Sequence, residues 1–110
     1  MASLKEQKAI LRRKLQKALV GYRRTYQRQQ AKVNALENRE SAIIAERNAY
    51  LRKAAEPPAQ QQALWREKAE ALEPQLNEVR EQLAREKERL EGPKAKLDAT
   101  EAALAKLGVK

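Results

Sequence analysis

Apolar residues recur along the first half of the chain in alternating steps of three and four. They run Leu15, Leu19, Tyr22, Tyr26, Val33, Leu36, Ile43 and Tyr50, with Gln29, Glu40 and Arg47 interrupting the series. Such steps keep one edge of an α-helix facing a second helix, so the pattern predicts a heptad seam. Leu19, Tyr26, Val33, Glu40 and Arg47 take its a positions; Leu15, Tyr22, Gln29, Leu36, Ile43 and Tyr50 take d. The second half repeats the seam in unbroken phase. Ala69, Leu76, Leu83, Leu90, Leu97 and Leu104 are its a residues, and Trp65, Leu72, Val79, Glu86, Pro93, Thr100 and Leu107 its d residues.

Between the halves lies Ala54-Ala55-Glu56-Pro57-Pro58. The first proline pushes Glu56 towards an extended backbone, and prolines are tolerated in the opening turn of a helix. The expected fold is therefore all-α, a long antiparallel two-helix coiled-coil hairpin forming one domain over 1–110, with arm one at 3–54, the turn at 55–58 and arm two at 59–107. At the usual rise the arms would span roughly 78 Å and 74 Å. Ser3 and Glu6 have the spacing of a capping box at the start, and Lys106, Gly108 and Lys110 suit the negative end of the last helix.

Facing a and d layers of the two arms agree at an index sum of 112, which pairs Arg47 with Trp65, Ile43 with Ala69, Leu36 with Leu76 and Leu15 with Leu97. That sum centres the bend on residue 56, beside the prolines. Arm two is expected to kink near Pro74 and near Gly92-Pro93, because each proline removes a backbone donor. Gly21 is a softer point in arm one. Arg47 opposite Trp65 is read as a cation and ring contact or as an Arg stem lying on the ring.

A two-stranded seam is thin, and Glu40, Gln29, Glu86 and Pro93 weaken several of its layers. Such an isolated hairpin is marginal, so help from a protein partner or a second copy is expected. Leu4, Leu11, Ile44 and Leu51 widen the apolar stripe and are the candidate residues for docking a partner helix.

Composition sharpens the functional reading mainly by exclusion. The 110 residues contain neither Cys nor His, and the three glycines stand apart. Thiolate and imidazole chemistry are absent, no phosphate loop can form, and no nucleophile elbow surrounds Ser3 or Ser41. An enzyme, a cofactor, a metal site and a small-molecule substrate are not expected. No apolar run is long enough for a membrane span or a secretory signal, so the expected location is cytoplasmic or virion-internal.

Charge is uneven: residues 1–55 hold 14 Lys and Arg against 4 Glu, whereas residues 56–110 hold 10 against 11 acids. Arg13, Lys14, Lys17, Arg24 and Arg28 fall on heptad positions pointing away from the seam, with Arg23 and Lys32 flanking them. This stripe is the candidate surface for a polyanion or an acidic partner. The expected function is a structural or adaptor coiled coil in a larger protein assembly, of a secretion or virion kind. The alternative is a basic hairpin that binds nucleic acid non-specifically through the outer face of arm one. Basic helical hairpins of this shape are similar to the tRNA-contacting arm of seryl-tRNA synthetases and to the stalk subunits of flagellar and type III export ATPases. That likeness is one of architecture along the whole chain, and it assigns no role to any residue.

Overall fold

The computed structural model describes residues 3–108 and contains three helices, α1 (Leu4–Ala54), α2 (Ala59–Ala71) and α3 (Glu73–Lys106). Together they make an all-α antiparallel helical hairpin, with α1 as one arm and α2 plus α3 as the second, bent arm. Lys110, expected to help close the last helix, lies outside the described residues.

Each helix end has a local cause. The Ser3 hydroxyl accepts from the Glu6 backbone N–H at 3.2 Å and the Ser3 carbonyl from Gln7 at 3.0 Å, which together fix the start of α1. At its other end Ala55 and Glu56 donate back to Arg52 and Lys53, both at 3.1 Å, before the cis Pro57-Pro58 peptide. Pro58 then serves as the extended N-cap residue of α2. Gly108 carries a φ of 75°, and its N–H reaches the Ala105 carbonyl at 3.0 Å, so a residue without a Cβ terminates α3 in the left-handed region.

The bend in arm two falls at Leu72, where the backbone N–H turns to the Ala69 carbonyl at 3.2 Å. Pro74 is the reason: it has no N–H to give to Glu70, and its ring fits the first turn of a new helix better than the middle of an old one. Farther on, α3 remains helical through Gly92 and Pro93.

The chain divides into two compact units, residues 32–86 and the remainder, in each of which the two arms pair. In the unit of residues 32–86, Ile43, Leu72, Leu76 and Val79 form a buried cluster, against which Ile44 and Tyr50 pack. Leu76 is fully buried, worth roughly 1.5–3 kcal/mol of hydrophobic stabilisation. In the other unit, Leu19, Thr100 and Leu104 are buried. Thr100 carries no polar debt there, because its hydroxyl donates to the Lys96 carbonyl one turn back at 2.8 Å. Every a and d residue assigned from the sequence is buried or half-buried.

The pairing offset differs from the expected one. Arg47 meets Glu73 at 2.9 Å and Glu40 meets Arg80 at 3.2 Å, both at an index sum of 120. Leu76 accordingly shares its cluster with Ile43, not Leu36. The slip arises in α2. Tyr50 still stacks on Trp65, near the turn, but by the next contact arm two has advanced from Trp65 to Glu73 while arm one has retreated only from Tyr50 to Arg47. The break at Leu72 absorbs the surplus residues.

Candidate functional site

Whereas Lys32, Ile44 and Leu51 belong to the other unit, most of the residues that the sequence singles out lie on two surfaces of α1 within the unit formed by the chain ends. Arg23 there reaches Glu101 across the arms at 3.8 Å, an index sum of 124. The first turns of α1 carry large apolar residues that the described part of arm two does not cover. Leu4 and Leu11, which flank the seam, are 68% and 46% exposed, and Ile10, seven residues before Lys17 on the outer face, is 49% exposed. Where pairing begins, a shallow groove of about 450 Å³ opens beside Leu19, Val20, Leu104 and Ala105, rimmed by Arg23 and Glu101.

Of the four residues expected to dock a partner helix, Leu4 and Leu11 thus lie on one open edge, and Leu51 is exposed near the turn. Ile44 is different. It is half-buried and packed on the chain's own core, which removes it from the docking set. Sequence reasoning missed Ile10, Val20 and Leu64, all exposed large apolar residues. Ile10 adjoins Leu11 and was detectable as an apolar residue off the heptad phase.

The second surface is the outer face of α1. Arg13, Lys14, Lys17, Arg24, Arg28 and Lys32 are all exposed, and none makes an ion pair or hydrogen bond among the described residues. Arg23 is exposed as well but already faces Glu101. Arg13, Lys17, Arg24 and Arg28 recur at spacings of four, seven and four, which confines them to roughly a 60° arc of the helix on the side away from Leu19, Tyr22 and Tyr26. Tyr22 and Tyr26 are half-buried in the seam, so no aromatic ring is offered beside the cations.

Near the turn a third cluster forms that is structural in character. The Trp65 ring stacks on Tyr50 with centroids 5.8 Å apart, while the ammonium groups of Lys53 and Lys68 lie 4.5 Å and 4.6 Å from its centre. These lysines replace the expected Arg47, which is drawn to Glu73 instead. Tyr50 donates its hydroxyl hydrogen to Glu46 at 3.0 Å. That bond, the negative charge of Glu46 and some loss of solvation hold the Tyr50 phenol above its usual value of 10.0.

Among the described residues no group of three or more carboxylates, histidines or cysteines is placed to hold a metal ion, and no helix is long and apolar enough to cross a membrane. Comparison with protein-family models, curated proteins and solved structures gives no match.

Proposed function

We propose that the chain is a non-enzymatic coiled-coil adaptor that docks in a larger protein assembly, its open α1 edge taking a partner's acidic, leucine-bearing helix. The observation that carries this reading is the exposure of Leu4 and Leu11, two large apolar residues one heptad apart that flank the seam at the start of α1 and that the described part of arm two leaves 68% and 46% exposed. The chemistry of the occupant follows from the flanks. Lys5, Lys8 and Arg12 border the Leu4–Leu11 edge on one side and Lys14 on the other, with Glu6 the sole acid in that stretch. Flanking cations of this kind select acidic e and g positions in a partner and oppose a second copy of the same segment. The secretion or virion setting expected from the sequence is the kind of assembly this reading proposes.

A designed acidic heptad peptide, leucine at a and d and glutamate at e and g, tests the reading against the full chain by calorimetry. Binding of the acidic peptide, abolished by Leu4→Gln with Leu11→Gln and absent for the matching lysine peptide, is the expected result. Equal binding of the lysine peptide, indifference to the two Gln substitutions, or closure of the edge by a second copy in light scattering would overturn it.

A further inference from the structure

We infer that the outer face of α1, from Arg13 to Arg28, is a binding surface for the phosphate backbone of a nucleic-acid duplex, contacted without regard to sequence. Lys14 adjoins both this face and the Leu4–Leu11 edge, but Arg13, Lys17, Arg24 and Arg28 lie away from that edge, so the inference does not depend on the adaptor reading.

Three observations carry it. The first is a concentration of charge that the fold does not use. No carboxylate occurs from Gln7 to Ala31, and Arg13, Lys14, Lys17, Arg24 and Arg28 have no anionic partner among the described residues. Arg13 with Lys17 and Arg24 with Arg28 are like-charge pairs one turn apart, an arrangement that weakens an isolated helix. An external polyanion relieves that repulsion. A surface serving solubility alone would be met equally well by interspersed charges of both signs, as in arm two.

The second is the shape of the ligand that this face admits. A protein interface ordinarily centres on apolar and aromatic residues with charges at its rim. Here the charges occupy the centre, over about 22 Å of helix, with the exposed apolar side chains Val20 at the margin and Ile10 at the N-terminal end, one turn before Arg13. Tyr22 and Tyr26 are committed to the seam. Without rings to stack on unpaired bases, a single strand has little to recognise, whereas duplex phosphates need only cations along a line.

Gly21 is the third. It lies in mid-helix on the same face, between Lys17 and Arg24, and a Cβ placed there would meet nothing within 4 Å. Packing within the chain therefore does not call for glycine at this position. A bare strip of helix flanked by cations lets a sugar-phosphate backbone approach closely, the use to which glycine is put at ligand contacts.

Fluorescence anisotropy of a labelled duplex of about 20 base pairs, titrated with the full chain between roughly 50 and 200 mM salt, tests the inference. Five phosphate contacts predict a slope of log K against log salt of about −4.5, an affinity loss of several hundredfold over that range. Arg13→Gln, Lys17→Gln, Arg24→Gln and Arg28→Gln together should weaken binding at least tenfold and flatten the slope to about −1. Adding Glu78→Lys and Glu88→Lys to this variant restores its net charge on arm two and should not restore binding. Gly21→Trp should weaken binding severalfold with the slope unchanged. Circular dichroism confirms that each variant stays helical. Absence of duplex binding at the lowest salt, recovery of binding with net charge alone, or preference for polyglutamate over the duplex overturns the inference; the last outcome would assign the face to an acidic protein.

Discussion

Arg47 reaches across the arms to Glu73, Nη1 to Oε1 at 2.9 Å, and by doing so sets the offset at which the two helices pair. Glu40 and Arg80 repeat the contact one heptad away at 3.2 Å. Both pairs are partly exposed, so each is worth about 0.2–1 kcal/mol. Their importance is selective: they reward a single offset among those that the leucines would accept.

Cysteine pairs read that offset directly, because the chain contains none of its own. Ile43→Cys with Leu76→Cys should form an intramolecular crosslink readily, since both residues belong to one buried cluster. Leu36→Cys with Leu76→Cys, the pair implied by a symmetrical hairpin, should not. Efficient crosslinking of the second pair with failure of the first would restore the symmetrical offset.

The faces of the helices were legible from sequence, whereas their offset was not, and the reason is visible in Leu76, Leu83, Leu90, Leu97 and Leu104. Spaced seven apart, these residues present the same edge after any slip of one heptad. The apolar pattern alone therefore accepts sums near 112 and near 119 alike. What separates them is the break at Leu72 and two cross-arm ion pairs, which depend on how many residues α2 consumes before α3 comes alongside α1. The candidate site divides along the same line. The cations of the outer face follow from heptad position, a local property, and could be named in advance. Ile44 could not be told from Leu51 by spacing, because only the packed hairpin shows that one rests on the core and the other does not.

Truncations should separate the core from the open edge. Leu76→Ala removes a fully buried side chain and should cost about 2–5 kcal/mol, enough to leave a two-stranded hairpin largely unfolded. Leu11→Ala, on the uncovered edge, should change stability by no more than about 0.5 kcal/mol. Urea unfolding followed by circular dichroism measures both. Comparable losses would mean that Leu11 is packed by the chain itself.

The Tyr50–Glu46 contact predicts a pH effect with a definite sign. A phenol held above its ordinary value of 10.0 keeps its proton longer folded than unfolded. Its contribution to stability is therefore intact below about pH 10 and is lost as pH rises through the folded-state value. In a Tyr22→Phe, Tyr26→Phe background the remaining tyrosine absorbance reports Tyr50 alone, and its midpoint should lie above 10.0. Glu46→Gln should lower that midpoint, because the carboxylate supplies both the hydrogen bond and the charge. An unchanged midpoint would show that Glu46 is not the acceptor.

The two cations over Trp65 should be measurably unequal to ordinary surface lysines. Lys53 and Lys68 both lie within 5 Å of the ring centre, and each contact at a partly exposed site is worth about 0.5–1 kcal/mol. Lys53→Gln and Lys68→Gln should each lower stability by about that amount and shift the tryptophan emission. Lys94→Gln, far from any ring contact, supplies the control. Equal, negligible effects at all three would reduce the cluster to the apolar stacking of Tyr50 on Trp65.

Gly21 offers a test in which stability and ligand access oppose one another. In a helix interior glycine is less favourable than alanine by roughly 1 kcal/mol, largely because the unfolded chain has more freedom to lose. At Gly21 nothing in the fold recovers that cost, since an added methyl would stand in open space. Gly21→Ala should accordingly raise stability by about 0.4–1 kcal/mol in urea unfolding. Gly108→Ala should not stabilise, even though its Cβ position is equally open, because φ there is 75° and alanine is strained in that region. If Gly21→Ala instead destabilises the chain, then the outer face of α1 is covered by part of the chain itself, and a ligand could not lie along it. If it stabilises the chain, the glycine has been kept against the interest of the fold, which is the condition expected of a position reserved for close contact with something else.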